Sequence, residues 1–232
     1  MKNVTNIKEF EKNGILKLKS PYDEGQIEGI YNWFNRDMPK DWWYKSYMPH
    51  EYAERFGLED TQYLSNIERN EPFSDVMYKH SKYSLHIEDF SYSFFRTKDD
   101  HQKTCKCVEC ILRKGLGSKE TLEWIADNTG VEVTKPHELF ASWYDEGDFL
   151  SKHSDTNNGK VGFVLSLTKE WIPEYGGLLH IMDKEWNEVK EVIIPKFNQI
   201  VLFDTVNSNS PHFVSEVVTK GIKRLAYTGW YE

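Results

Sequence analysis

The sequence has few cysteines and no long apolar segment. Three cysteines in 232 residues are an odd number, which argues against a disulfide framework and fits a reducing compartment. The longest apolar runs are short stretches such as residues 161–165, far below the ~20 residues that a membrane span needs. The opening decapeptide, MKNVTNIKEF, lacks the apolar core of a secretory signal peptide. We therefore expect a cytoplasmic protein with no membrane partner.

Basic residues are also in deficit. The chain has 29 Lys and Arg against 37 Asp and Glu, a formal net charge of −8. An acidic surface repels phosphate backbones, so the composition predicts no nucleic-acid partner, although it leaves room for a local basic pocket. Hydrophobic residues make up 39% of the chain and aromatic residues 15%. This profile is typical of a globular protein and unlike that of a disordered chain.

No internal repeat, low-complexity segment or Gly/Ser/Pro-rich linker divides the chain. We therefore expect a single domain over residues 1–232, in which a mixed helix and strand region (1–135) supports a core formed by residues 136–232. Local patterns predict four elements in the support region. These are a strand at 14–19, a helix that begins at Ser20 with Pro21 at its first position, a strand at 90–96, and a helix between a Ser118 cap and Gly130.

The pattern changes after Pro136. Short β-rich runs now alternate with turn residues such as the pair Gly176 and Gly177. Many short strands at regular spacing are typical of a sandwich, barrel or jelly roll. The predicted strands cover residues 139–144, 161–168, 178–182, 192–194, 200–203, 213–218 and 224–230. The sequence thus predicts a mainly β protein of the α+β class, with N-terminal helices covering one face of the β core.

Two of the eight histidines stand apart from the charged surroundings of the others. His153 and Asp155 are two residues apart, and side chains at that spacing point to the same side of an extended chain. His212 follows a proline, opens a predicted strand and lies 57 residues after Asp155. Two imidazoles and one carboxylate form the facial triad of non-haem Fe(II) oxygenases, which leaves three coordination positions open. A His-x-Asp pair alone is a weak signal, so the surrounding pattern has to support it.

A cation accompanies this triad. Arg224 lies 12 residues beyond His212, across the turn at 219–221. A three-residue hairpin loop pairs Glu216 with Arg224 and makes His212 and Arg224 face the same interior, whereas a two-residue loop puts them on opposite faces. An inward guanidinium needs an anionic partner, and a dicarboxylate co-substrate held partly by iron provides one.

These motifs resemble, in order along the chain, those of the 2-oxoglutarate- and Fe(II)-dependent oxygenases of the prolyl-hydroxylase type. The resemblance covers roughly residues 138–231 and is specific because five separated pieces agree. The pieces are FASWY (140–144), EGDFL (146–150) and HSD (153–155); LSLT (165–168), Trp171, Pro173 and GGL (176–178); Pro195, Asn198 and VLF (201–203); HFVSEV (212–217); and GIKRLAYTGW (221–230).

The resemblance implies a double-stranded β-helix, or jelly roll, and a set of site residues. It also implies Fe(II), the co-substrates 2-oxoglutarate and O₂, and a reaction that couples decarboxylation of 2-oxoglutarate to succinate with hydroxylation of an unactivated C–H bond. The implied substrate is a small-molecule or peptidyl amino acid such as proline. The implied iron ligands are His153, Asp155 and His212; Arg224 would bind the distal carboxylate of 2-oxoglutarate, and Tyr144 and Thr228 would line its pocket.

Two positions refine this interpretation. Leu165 stands where many family members carry a tyrosine that also holds 2-oxoglutarate. Either Arg224 has another helper, or the strand alignment is shifted by one residue. Asp155 stands where halogenases of the wider superfamily have a small residue, which favours oxygen insertion.

Two alternative functions remain open. One is a nucleic-acid demethylase of the same superfamily, which the net charge of −8 disfavours. Trp230 also disfavours it, because that family carries a second arginine at the sixth position after Arg224. The other is a non-catalytic jelly-roll protein that binds a metal or ligand, and such a protein needs no inward cation near the metal.

A second cluster of potential ligands lies outside the resemblance. His101, Cys105, Cys107 and Cys110 form the pattern His-x3-Cys-x-Cys-x2-Cys, and four such side chains could hold a structural zinc. The alternative is three reduced thiols in a charged surface loop, because a single short segment rarely surrounds a tetrahedral ion. His180, close to the Gly-Gly turn, could compete as a ligand, but we assign it either to the core or to the residues that pack behind the ligands.

Overall fold

The computed structural model describes residues 2–49, 63–66, 74–98, 101, 104–156, 158–206 and 210–232. Its helices are α1 (Val4–Asn13), α2 (Glu24–Asn32), α3 (Ser74–His86), α4 (Val108–Leu116) and α5 (Lys119–Thr129), with short turns of π-helix at Trp33–Asp37 and of 3-10 helix at Lys40–Trp42 and Pro173–Tyr175. None of these helices combines the length and the apolar character needed to cross a bilayer. The strands are β1 (Ile15–Lys19), β2 (Trp43–Pro49), β3 (Tyr63–Asn66), β4 (Ser91–Thr97), β5 (Pro136–Tyr144), β6 (Phe149–His153), β7 (Val161–Ser166), β8 (Leu179–Met182), β9 (Val189–Ile193), β10 (Gln199–Asp204), β11 (His212–Val214) and β12 (Arg224–Tyr231).

Side-chain caps decide where the helices begin. Helix α5 runs as predicted, from the Ser118 cap to Gly130, which ends it in the left-handed conformation at φ 77°. Helix α2 starts later than predicted. Its N-cap is Asp23, which forms a reciprocal capping box with Gln26. The predicted start at Ser20 is wrong because the Ser20 hydroxyl donates to the buried side chain of Asn198 instead of capping the helix.

The described strands form one antiparallel sheet that curls over on itself. Its major half has the strand order β1–β10–β7–β12–β5, and its minor half has the order β6–β11–β8–β9. Strand β4 joins the two halves, because one edge of it pairs with β5 through Phe95 and Arg96 and with β6 through Tyr92 and Ser93. Its other edge pairs with β2, which in turn pairs with β3. The predicted mainly β fold with a jelly-roll core is confirmed.

The major half buries apolar side chains on both faces, since successive residues of a strand point to opposite sides. Its outer face packs against the N-terminal helices, and the inner face meets the minor half. The outer layer includes Phe163, Leu165 and Tyr227 of the sheet with Phe10, Ile27, Leu112, Leu116 and Ile125 of the helices. The inner layer includes Phe140, Val201 and Phe203 of the major half with Leu179, Ile181 and Val214 of the minor half. The inner layer is where the predicted site residues lie.

The hairpin that was predicted to join β11 and β12 does not form. Strand β11 pairs with β6 and β8, whereas β12 pairs with β5 and β7, so Arg224 lies opposite Tyr144 and not Glu216. The predicted pairing is wrong because the chain crosses from the minor to the major half between these strands. His212 and Arg224 nevertheless face the same interior, because each half turns its inner face toward the other.

A buried ion pair supports the turn that leads into β6. Asp148 is fully buried there and forms a salt bridge with Lys45 of β2, while also accepting hydrogen bonds from the Ser93 hydroxyl at 2.8 Å and the Asp145 amide at 3.0 Å. Burial raises the pKa of Asp148 and lowers that of Lys45, so each charge depends on the other to remain ionised.

We expect Asp148→Ala to destabilise the fold by about 3–5 kcal/mol, because it leaves the Lys45 ammonium buried without a counter-ion. The free energy of unfolding in urea, measured for both proteins, tests this. Glu123→Ala is the control, since it removes an exposed i,i+4 pair with Lys119, which contributes little. Equal stability of the Asp148→Ala variant and the unmodified protein would contradict the prediction.

Candidate active site

Two adjacent strands of the minor half bring the predicted imidazoles side by side. His153 ends β6, His212 begins β11, and the two residues are opposite each other in the antiparallel register. Their ring centroids lie 4.2 Å apart. Nδ1 of each ring lies next to a backbone carbonyl oxygen two residues earlier, at 2.9 Å from Ser151 and 3.0 Å from Ser210. A protonated Nδ1 donates to that oxygen, which leaves Nε2 of each ring with a free lone pair.

Asp155 completes a group of three donors. Its Oδ1 lies 3.6 Å from Nε2 of His153, and its Oδ2 lies 3.8 Å from Nε2 of His212. One ligand atom from each residue lies within 4.8 Å of the other two. Two imidazoles and one carboxylate are the donor set that suits Fe(II) with coordination positions left open. The structure therefore places the three predicted ligands where a single ion can contact all of them.

The surroundings keep the His153 ring neutral and hold both rings in place. Burial and the neighbouring His212 lower the pKa of His153 to about 4, so its ring carries no proton on the lone pair at neutral pH. Phe203 stacks on His212 with centroids 4.8 Å apart, and Phe90 lies 5.7 Å from the His153 ring. Neutral imidazole is the form that coordinates a metal.

The triad faces a cavity of about 220 Å³ between the two halves of the sheet. All six predicted site residues line it: His153, Asp155, His212, Arg224, Tyr144 and Thr228. Arg224 and Tyr144 are each only 4% exposed and form its closed end. Phe90 is 38% exposed and Glu138 is also exposed, so the cavity opens to solvent on that side. A ligand can thus enter past Phe90 and meet the triad and Arg224 inside.

Arg224 has the features of a ligand-binding cation. Its guanidinium carbon lies 4.9 Å from the Tyr144 ring centroid, and its Nε is buried with no hydrogen-bond acceptor among the residues that the structure describes. Burial lowers the pKa of Arg224, yet an arginine remains charged in proteins. A buried cationic donor without a partner is costly. An anionic ligand in the cavity would satisfy it.

Thr228 and Leu165 differ in how they relate to this cavity. Thr228 lines it, but its hydroxyl donates to the Phe163 carbonyl at 2.7 Å, a hydrogen bond between β12 and β7. Leu165 is fully buried on the outer face, among the helices, and the β7 residues that line the cavity are Phe163 and Val164. Leu165 therefore has no part in the pocket, and Tyr144 presents a phenol ring beside Arg224 instead.

Strand β4 supplies a wall of the cavity that sequence reasoning missed. Phe90 and the inward-facing residues Tyr92, Phe94 and Arg96 all line it, and the Arg96 guanidinium lies 4.1 Å above the Phe140 ring. The cavity therefore has a second arginine. The alternation of aromatic and polar residues from 90 to 96 was sufficient to predict a shared face, but it could not indicate which face of the sheet would carry the site.

A bulge aims one more charged group into the cavity. Thr228 pairs with Phe140 and Trp230 with His137, so β5 has an extra residue between these pairs. Glu138 lies in this bulge at φ 49°, in the left-handed region, and lines the open side of the cavity. Bulges commonly redirect side chains beside active sites. Trp230 also lines the cavity, and its indole N–H has no acceptor among the described residues.

A jelly roll that combines a His-Asp-His group with a buried arginine on its inner face has the architecture of the 2-oxoglutarate- and Fe(II)-dependent oxygenases. Comparison with known proteins agrees. Residues 139–232 match the model of the 2OG-Fe(II) oxygenase superfamily, so the resemblance inferred from the motifs is confirmed over this part of the chain.

The sequence is similar to two prolyl 3-hydroxylases named OGFOD1. It is 28% identical to the Mus musculus protein over 142 residues, which are 59% of this chain and 26% of that protein. It is 32% identical to the Xenopus laevis protein over 114 residues, 47% of this chain and 22% of that protein. The chain spans about a quarter of the length of the curated relatives it matches.

Solved structures share the fold across nearly the whole chain. A 2OG-Fe(II) oxygenase-family oxidoreductase from Burkholderia pseudomallei aligns with a TM-score of 0.63 at 12% identity, covering 100% of this chain and 93% of its own. A Pseudomonas putida prolyl-4-hydroxylase aligns with a TM-score of 0.55 at 14% identity, covering 98% of this chain and 97% of its own. A Trichoplax adhaerens prolyl hydroxylase in complex with a hypoxia inducible factor peptide aligns with a TM-score of 0.56 at 15% identity, covering 98% of this chain and 87% of its own.

Proposed function

We propose that this protein is a 2-oxoglutarate-dependent Fe(II) dioxygenase that hydroxylates a peptidyl, prolyl-like residue. The observation that carries the proposal is that one cavity contains both the three-donor group and the buried Nε of Arg224, which has no acceptor among the described residues. A metal-binding protein needs only the donors. A site that also buries a guanidinium without an anion is built for a ligand that has a carboxylate at some distance from the metal.

Each residue has a role in this proposal. His153, Asp155 and His212 would hold Fe(II) on one face, because their free donor atoms converge. Arg224 would bind the distal carboxylate of 2-oxoglutarate at the closed end, with the Tyr144 ring fixing the guanidinium from one side. When bound, iron with 2-oxoglutarate and O₂ supplies the oxidising chemistry, in which 2-oxoglutarate becomes succinate and CO₂ and a substrate C–H bond becomes an alcohol.

The open side of the cavity favours a peptidyl substrate. Aromatic rings of Phe90, Tyr92 and Phe140 provide an apolar wall on which a small saturated ring can pack. Arg96 and Glu138 add one charge of each sign near the opening, suited to the carbonyl and N–H groups of a peptide backbone. The relatives described above are named as prolyl hydroxylases, and the aromatic wall of the cavity is compatible with a prolyl ring.

An anaerobic titration tests the proposal. We expect Fe(II) alone to bind without visible colour, and addition of 2-oxoglutarate to produce a weak metal-to-ligand charge-transfer band in the visible region. On admission of air, a proline-containing peptide should increase succinate production and gain the mass of one oxygen atom. Iron binding without any band on addition of 2-oxoglutarate would support the non-catalytic alternative, and oxidation of a methylated oligonucleotide in place of the peptide would support the demethylase.

A further inference from the structure

Four soft metal ligands converge away from the cavity, in the segment that leads from β4 into α4. One ligand atom from each of His101, Cys105, Cys107 and Cys110 lies within 4.8 Å of the others. Nδ1 of His101 is 3.4 Å from Sγ of Cys107 and 3.3 Å from Sγ of Cys110. A tetrahedral zinc with bonds of about 2.3 Å to sulfur and 2.0–2.1 Å to nitrogen separates such ligands by roughly 3.6 Å. The observed spacing is close to that value.

The start of α4 brings two of the sulfur atoms together. Cys107 is the N-cap of this nine-residue helix, and its Sγ accepts from the Cys110 backbone N–H at 3.5 Å. Cys110 lies in the first turn. Both sulfur atoms therefore lie at the N-terminal end of the helix, on the side where its backbone N–H groups point outward.

A buried carboxylate orients the histidine ligand. His101 Nε2 lies 3.2 Å from Oε2 of Glu109, whose side chain is fully buried and whose Oε1 accepts from Arg113 at 2.8 Å. The Trp42 and His101 rings pack nearly perpendicular to each other, with centroids 4.8 Å apart. A histidine that directs one nitrogen at a carboxylate and the other at a ligand cluster is the arrangement usual in zinc sites.

We propose that His101, Cys105, Cys107 and Cys110 bind one Zn²⁺ in a closed, structural site that is separate from the His153, Asp155 and His212 group. Three thiolates and one imidazole satisfy four-coordinate zinc and leave no position for substrate. Thiolate donors prefer zinc, whereas the imidazole and carboxylate donors of the cavity suit iron. The two groups therefore divide the two metals between them.

The zinc would fasten α4 to the sheet. Leu112 and Leu116 of this helix are buried in the outer layer, and Glu109 also lies 3.4 Å from the Thr97 hydroxyl at the end of β4. Thr97 follows Arg96, which lines the cavity. Metal binding at the start of α4 thus fixes the end of the strand that forms one cavity wall.

The test uses the full chain with the iron ligands removed, as the His153→Ala/His212→Ala variant. Produced with zinc in the medium and dialysed against a mild chelator, it should retain about one zinc per chain. Cobalt in place of zinc should give the intense visible absorption of tetrahedral Co²⁺ with thiolate ligands. Cys107→Ser on this background should lose both signals, whereas Lys106→Ser, in the same loop, should keep them.

Glu109→Gln probes the histidine's orientation. It should keep the cobalt spectrum at saturation but weaken metal affinity by about 10–100-fold, the usual effect of losing a carboxylate behind a histidine ligand. If Cys107→Ser fails to fold, the cobalt spectrum of the background variant still decides. Absence of both zinc and the thiolate spectrum from that variant, or a mass showing a disulfide among the cysteines, would overturn the proposal.

Discussion

Each of the substitutions His153→Ala, Asp155→Ala and His212→Ala is expected to abolish succinate production from 2-oxoglutarate. The three side chains supply the converging donor atoms of the cavity, so each variant lacks one of the three protein ligands to the metal. Losing only a hydrogen-bond partner behind a metal ligand typically costs about 10–100-fold in affinity or activity, and losing the ligand itself costs more. Succinate release with Fe(II) at saturation is the measurement.

The fold of these variants should remain intact, because the inner and outer apolar layers of the sheet are built by other residues. Melting curves followed by circular dichroism check this. His180→Ala is the matched control. That histidine lies on β8 next to β11, but its ring stacks on Phe213 at 4.3 Å and does not line the cavity. Near-normal turnover in any one of the three ligand variants would remove that residue from the assignment.

Arg224→Ala is expected to leave iron binding almost unchanged while raising the apparent KM for 2-oxoglutarate by roughly 30- to several-thousand-fold. Breaking a desolvated charge pair on one side costs about 2–5 kcal/mol, because the remaining charge is buried without its counter-ion. Arg224→Lys should fall between the two proteins, since lysine keeps the charge but loses the paired donors of the guanidinium. Succinate production measured across 2-oxoglutarate concentrations decides the question.

Arg96→Ala is the control, because it also removes one positive charge from the cavity but not the proposed partner of the 2-oxoglutarate carboxylate. Arg96 also lines the cavity, but it lies over Phe140 and its side chain is partly exposed. Arg96→Ala should raise the KM for the peptide and leave that for 2-oxoglutarate close to normal. A keto acid without the distal carboxylate should distinguish little between Arg224→Ala and the unmodified protein. An unchanged KM for 2-oxoglutarate in Arg224→Ala, with a raised one in Arg96→Ala, would exchange the roles of the two arginines.

The sequence predicted the structure correctly where a few neighbouring residues determine it. The Ser118 cap and Gly130 stop define α5, because the hydrogen bonds that end a helix are made within one turn. Likewise the two-residue spacing of His153 and Asp155 already brings their side chains to the same side. The three strands that sequence reasoning did not predict, β2, β3 and β6, depend on partners distant in the chain.

The pairing of β11 and β12 shows where local reasoning fails. Residues 216–224 read as a hairpin, since a turn between two β-rich runs most often joins neighbouring strands. In the folded chain the runs enter opposite halves of the sheet, because each buries its apolar face against a layer made by other segments. The common interior of His212 and Arg224 was thus predicted for the wrong reason.

By itself the sequence predicted the mainly β class and the pairing of His153 with Asp155, because residue type and short spacing carry that information, and its resemblance to a known family added His212 and Arg224. Only the tertiary structure decided which faces of the strands enclose the cavity. It turned Leu165 to the helices, brought Arg96 and Glu138 of separate strands to one opening, and gathered His101 with the three cysteines. The physical reason is that the two-residue period of a strand determines which side chains share a face. Whether that face lines the cavity or packs against the helices depends on how the sheet curls and on what packs against it.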